Sequence, residues 1–167
     1  MLPSPTPVAD DTLRISQHEG RRDALWPLFE LAHDSVEAIR GYLHDGVVHV
    51  ATRGAVPVGL SQVIALEGVH ELRSLVVFPG HRRRGLGTRL VARAAAWVRD
   101  QAGDQLITAT AAADLDVLGF YQRLGFRMLR IERDAFTPER GYPEGLSVRG
   151  VPMRDRIWLE MPLKSGA

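Results

Sequence analysis

The sequence predicts a mixed α/β (α+β) chain, in which an antiparallel meander is followed by a β-α-β-α-β run. Three observations carry this. Residues 47–78 hold three strand-like runs separated only by the short turns Arg53-Gly54-Ala55 and Glu67-Gly68. Residues 85–101 form a long amphipathic helix pattern, with Leu86, Leu90, Val91, Ala94, Ala95 and Val98 on one face. Beyond it, strand and helix patterns alternate to the end of the chain.

Taken in order, residues 1–11 carry three prolines and no periodicity, which predicts a disordered tail. Leu13 and Ile15 alternate within 12–18 and predict a first strand. Leu25, Leu28, Phe29 and Ala32, then Val36, Ile39 and Leu43, recur at helical spacing. We read them as two short helices joined near His33, with Asp34 or Ser35 as the cap of the second. Strands follow at 47–52, 56–66 and 70–78. Pro57, early in the second of these, predicts that this end lies at a sheet edge. Pro79 and Gly80 stop the third. After the long helix, Gly103 is a stop signal. A strand at 105–110, a helix at 115–124 capped by Asp114, and a strand at 126–131 come next. The Pro- and Gly-rich segment 132–155 reads as a functional or mobile loop, and 156–163 as a last strand. The domain therefore spans 12–163, with a short tail at 164–167.

Composition narrows the function. Apolar residues at 45%, charged residues at 25% and a net charge of +1 describe a globular protein without a strong global field. Bulk nucleic-acid binding is disfavoured, although Arg82-Arg83-Arg84 is a local basic spot that would bind DNA or RNA only in a strongly salt-dependent way. There is no cysteine, so disulfides, thiolate metal sites and a cysteine nucleophile are excluded. The six histidines form no HxxxH or HExxH pair, and no metal is expected. No apolar run approaches the roughly 18 residues of a membrane span, and the N-terminus lacks a secretory pattern. The expectation is a cytoplasmic protein with no membrane partner.

The segment 72–100 organises the rest. It runs from an apolar strand, through Arg82-Arg83-Arg84-Gly85-Leu86-Gly87, into the long helix. Backbone amides at a helix start, together with the helix dipole, make an anion site. A nucleotide P-loop is excluded, because no Gly-Lys pair exists in the chain. A dinucleotide fingerprint fails too: Leu90 stands where the third glycine belongs, and the preceding strand closes a meander instead of opening a βαβ unit.

The pattern that fits is [Q/R]xxGx[G/A], filled by Arg82, Gly85 and Gly87, with Phe120-Tyr121-Gln122-Arg123-Leu124-Gly125-Phe126 about thirty residues further on. In these features the chain resembles the GCN5-related N-acetyltransferase (GNAT) superfamily, over roughly residues 13–163. The resemblance implies a mixed, mostly antiparallel central sheet of about seven strands flanked by about four helices. It implies an acetyl-CoA-dependent N-acyltransferase that moves an acetyl group to a primary amine by direct transfer in a ternary complex. The alternative on the same fold is a non-catalytic acyl-CoA-binding module.

The resemblance also implies roles. Backbone groups of Leu75, Val76 and Val77 would pair with the pantetheine arm of acetyl-CoA. Arg82, Arg83, Arg84, Gly85, Leu86, Gly87 and Thr88 would wrap the pyrophosphate, with glycines where a Cβ would crowd the phosphates. Tyr121 stands at the position of the usual general acid, against the alternative of a packed tyrosine. Asp114 stands where the family often has asparagine against the pantetheine arm, and is also a helix cap. Ala109 replaces the glutamate that some protein N-terminal acetyltransferases carry on that strand. Glu71, eleven positions before Arg82, matches the base of the histone-acetylating branch. On strict alternation it shares a face with Arg73, Leu75 and Val77, and an ion pair with Arg73 is the alternative to catalysis. The acceptor, an amine-bearing small molecule or peptide, is expected between segments 20–43 and 132–155. The protein is expected to be a monomer or a homodimer, with the last strand as the candidate pairing edge of the latter.

Overall fold

The computed structural model of the protein describes residues 12–32 and 34–164. The expected tail at 1–11, and residues 165–167 of the one expected at 164–167, lie outside the described residues. The strands are β1 (Leu13–Gln17), β2 (Val47–Arg53), β3 (Val56–Leu66), β4 (Val69–Val77), β5 (Gln105–Ala111), β6 (Arg127–Glu132), β7 (Ser147–Val148), β8 (Val151–Pro152) and β9 (Arg156–Pro162). The helices are α1 (Trp26–Phe29), α2 (Val36–Tyr42), α3 (Leu86–Asp100) and α4 (Leu115–Arg123). No described helix is long and apolar enough to cross a membrane.

Seven strands form one sheet in the order β1-β2-β3-β4-β5-β9-β6. Every neighbouring pair is antiparallel except β4 and β5. That exception follows from α3, since a parallel pair needs a crossover and the long helix provides it. The last strand β9 inserts between β5 and β6, so both its edges are occupied. The expected route to a dimer through the edge of the last strand is therefore closed. β3 as a whole lies inside the sheet, but its pairing with β4 begins at Gly59↔Val77, so the end that holds Pro57 is paired with β2 alone, as expected. Pro57 is tolerated where the β2–β3 register shifts next to Ala51 and Thr52.

The two sheet faces carry different helices. Leu72, Leu106 and Leu159 pack with Val91, Ala94 and Val98 of α3 and Leu118 and Tyr121 of α4. On the other face Val48, Val50, Leu60 and Val76 pack with Leu28 and Phe29 of α1 and Ile39 and Tyr42 of α2. The small Ala94 and Ala95 let α3 lie close on the sheet. The α1–α2 segment is short and partly 3-10, with breaks on either side of α1. Of the two expected caps of α2, Ser35 acts: its hydroxyl accepts from the Ala38 amide at 3.1 Å.

Two irregularities in β4 shape everything that follows. The register with β3 runs Gln62↔Ser74 and then Val63↔Leu72, so Arg73 bulges out of the pairing. The bulge shifts the alternation by one. Leu72 packs in the α3 cluster and Leu75 packs against it, whereas Val76 belongs to the α1–α2 cluster. Glu71 lies opposite Ile64, which packs with α1–α2. Glu71 and Arg73 therefore face α1–α2, and do not share a face with Leu75 and Val77 as strict alternation predicts. Second, β4 and β5 pair only at His70↔Leu106 and Glu71↔Ile107. Beyond this point the strands part, with the Thr108 hydroxyl donating to the Leu72 carbonyl at the fork (3.0 Å). Bulges increase local twist, and this one sits where β4 leaves β5.

Candidate active site

The parted strands open a cleft of about 1510 Å³. Its walls are the free edge of β4, the 82–88 turn, β5, α4, the start of α2 and the segment after β6. Leu75, Val76, Val77, Arg82, Arg83, Gly85, Gly87, Thr88, Asp114, Tyr121 and Glu71 all border it. Arg84 and Leu86 do not. Leu86 is the first inward position of α3 and is buried against Ala51, Val58 and Leu90, so only its main chain is offered to the turn. Ala109 also lines the cleft and supplies no ionisable group there.

The turn is built to leave amides free. Gly85 caps α3 with φ at +75°, and no side chain caps the helix start. The first-turn amides of α3 thus keep the orphan character that favours an anion. The Arg82 Nε donates to the Val77 carbonyl at 2.9 Å, which ties the turn to the end of β4. The protein itself places a constraint on each of the two glycines. A Cβ on Gly85 would meet nothing, so its requirement is the left-handed φ. A Cβ on Gly87 would come within 3.3 Å of the Phe120 ring, so Gly87 lets α3 approach α4.

Tyr121 stands on the inner face of α4, with its ring edge-on to Phe120 and Phe126 at 5.2 Å each. It is only 6% exposed, yet it borders the cleft. Burial pushes its phenol up to about 12, with the Thr108 hydroxyl pulling the other way. The phenol therefore stays protonated and can donate. Asp114 caps α4, accepting from the Val117 amide at 3.1 Å.

Glu71 sits in a chain of polar contacts. Arg73 reaches Glu71 at 3.3 Å and Asp34 at 3.2 Å, and its guanidinium lies 4.5 Å from the centre of the Tyr42 ring. Burial opposes the charge on Arg73, but Glu71, Asp34 and Tyr42 together raise its pKa above the ordinary arginine value. Asp34 also accepts from the Tyr142 hydroxyl at 2.7 Å. Burial, then the Asp34 contact, pushes that phenol to about 12. Arg156 completes the chain, donating to the Tyr142 oxygen at 3.3 Å. The ion pair that the sequence offered as the alternative for Glu71 is thus formed. Among the described residues no group of three or more His, Asp or Glu side chains is arranged to hold a metal.

The segment after β6 is ordered by these contacts. It contains a 3-10 turn at Pro138–Arg140 and the β7–β8 hairpin, and Arg149 at the hairpin tip reaches Asp116 of α4 at 2.5 Å. Thr108 and Arg156 border the cleft, but nothing in the sequence singled them out. Thr108 sits in an ordinary strand pattern, and Arg156 is one of many arginines. No local signal links Asp34 to Tyr142, 108 residues away.

A sheet that parts beside an uncapped helix start, with a buried phenol at the fork, is the frame of an acyl-transfer protein. The acetyltransferase (GNAT) family model matches residues 14–126, and the chain belongs to that family. It is 28% identical over 152 residues to the uncharacterized N-acetyltransferase YvbK of Bacillus subtilis, covering 90% of this chain and 97% of that protein. Among solved structures it matches a Bacillus subtilis acetyltransferase in complex with CoA, with a TM-score of 0.82, 27% identity, and 90% and 99% of the two chains covered. A GNAT family acetyltransferase from Elizabethkingia anophelis with acetyl-CoA bound matches with a TM-score of 0.83, 24% identity, and 91% and 99% coverage.

Proposed function

We propose that the protein transfers an acetyl group from acetyl-CoA to a primary amine, directly and within a ternary complex. One observation carries the reading: a single cleft joins the free β4 edge and the 82–88 turn to the polar chain at Glu71, with Tyr121 on its wall. The free backbone of Leu75, Val76 and Val77 suits an amide-bearing pantetheine arm. The amides of the turn, with Arg82 and Arg83 beside them, suit the pyrophosphate. The complexes of the related proteins with CoA and acetyl-CoA support the coenzyme as the donor.

Bound acetyl-CoA supplies a thioester, whose carbonyl carbon takes the amine nitrogen and whose sulfur departs as thiolate. Tyr121 hydrogen-bonds through its hydroxyl to the departing sulfur, and the thiolate takes up the second proton that the nitrogen sheds as the amide forms. Glu71 accepts the proton that the incoming ammonium must lose, directly or through a water, as Arg73 shifts its contact toward Asp34. Asp114 holds the start of α4 and thereby fixes Tyr121. Direct transfer fits a chain with no cysteine to carry the acyl group.

The test is CoA release with a panel of amines. Initial-rate lines that intersect when both substrates vary are expected. Parallel lines with an acetylated protein intermediate would refute direct transfer. Acetyl-CoA binding with no release for any amine would favour the non-catalytic module.

A further inference from the structure

We propose that the acceptor is a compact amine that also bears a carboxylate, an amino acid or a small derivative, and that Arg156 holds its carboxylate. The proposal rests on the acyl-transfer reading and names the substrate class for the same cleft. Arg156 opens β9 and is set into the wall by groups behind it. Its Nη1 donates to Glu132 at 3.3 Å, and Trp158 and Arg140 hold that same carboxylate at 2.9 Å and 2.5 Å. Its guanidinium lies 5.0 Å from the centre of the Phe136 ring, and its Nη2 meets the Tyr142 oxygen. A guanidinium has five N–H donors, and these contacts take two. The remainder form a planar fork of the kind that matches a carboxylate. Arg73 is not equivalent: its two Nη partners, Glu71 and Asp34, are both carboxylates, whereas Arg156 meets one carboxylate, shared with Arg140, and a neutral phenol.

The polar chain gives the direction. Glu71, Arg73, Asp34, Tyr142 and Arg156 follow one another in contact, with a carboxylate at one end and a guanidinium at the other. An acceptor with its ammonium toward Glu71 and its carboxylate toward Arg156 would meet the opposite charge at each end. The Tyr142–Asp34 hydrogen bond supplies the size argument. It ties the segment after β6 to the start of α2 across the acceptor end of the cleft. An extended polypeptide lying there would have to break it, whereas a compact molecule would not.

The experiment measures CoA release by the full-length protein with matched sets: an amino acid, its carboxamide and its decarboxylated amine. Unpaired buried polar groups make such sites strongly discriminating, so the acid is expected to lead by at least ~30-fold in kcat/KM. Arg156→Gln should bring the members of each set within about threefold of one another, mainly by raising KM for the acid, and Arg156→Lys should keep part of the preference. Equal turnover of acids and amides by the unaltered protein overturns the proposal without any variant. So does an unchanged preference in Arg156→Gln, or peptide amino termini that outcompete free amino acids. These outcomes leave the acyl-transfer reading standing. No turnover with any amine overturns both.

Discussion

Replacing Tyr121 by phenylalanine tests the chemistry most directly. Burial holds the phenol near 12, about two units above an ordinary tyrosine. A thiol is near 8.5, so complete proton transfer from Tyr121 to a thiolate is uphill by about 3.5 units, or ~5 kcal/mol. In the proposed mechanism the side chain therefore works as a hydrogen-bond donor to the developing charge more than as a full acid. A hydrogen bond to a charged group contributes about 1.5–3 kcal/mol. At 1.36 kcal/mol per decade, the expected loss in kcat is roughly 10- to 150-fold. The larger losses typical of full general acids, up to about 10⁴-fold, are not expected. The KM for acetyl-CoA should change little, because Phe keeps the ring contacts with Phe120 and Phe126. The assay is steady-state CoA release by both proteins from pH 6 to 10. Tyr121 itself introduces no fall in rate on the alkaline side of that range, since it remains protonated throughout. Unchanged turnover in Tyr121→Phe across that range would refute the assignment, and a loss confined to KM would show that Tyr121 only binds.

Three further outcomes follow from the same structure. Glu71→Gln should lower kcat by about 10²- to 10⁴-fold if Glu71 takes the ammonium proton, while calorimetric affinity for CoA stays within about twofold; equal loss of both would make Glu71 structural. Gly85→Ala forces an alanine to the left-handed φ of +75° and should cost about 1 kcal/mol in thermal unfolding, with weaker CoA binding as the turn shifts. His49 is fully buried on β2, with both ring nitrogens unpartnered, and burial, then the nearby charge of Arg93, holds it at about 4 against the ordinary 6.5. Between these values the unfolded chain binds a proton that the folded one refuses, so stability present above pH 6.5 falls as pH drops toward 4, by up to about 3 kcal/mol. His49→Leu should flatten that part of a urea-unfolding profile, and an unchanged slope would show that another group governs it.

The local sequence determined the elements whose signals are local. An apolar run, a glycine turn and a helical stripe over residues 72–100 specify a strand, an uncapped helix start and a helix, because each depends on neighbours within a few positions. The family resemblance came from the same kind of signal, the turn residues Arg82, Gly85 and Gly87 and the segment around Tyr121. Tertiary structure decided the rest. The bulge at Arg73 turned Glu71 toward α1–α2, since register depends on the partner strand and one extra residue reverses every side chain beyond it. The insertion of β9 between β5 and β6 joined strands far apart in sequence. The proposed acceptor end depends most on tertiary structure: Asp34, Arg73, Tyr142 and Arg156 come from four separate segments and meet only because the sheet parts between β4 and β5 and the segment after β6 folds back over the opening. Contacts between distant segments leave no periodic trace in a single chain, so the proposed donor end could be drawn from the sequence and the proposed acceptor end could not.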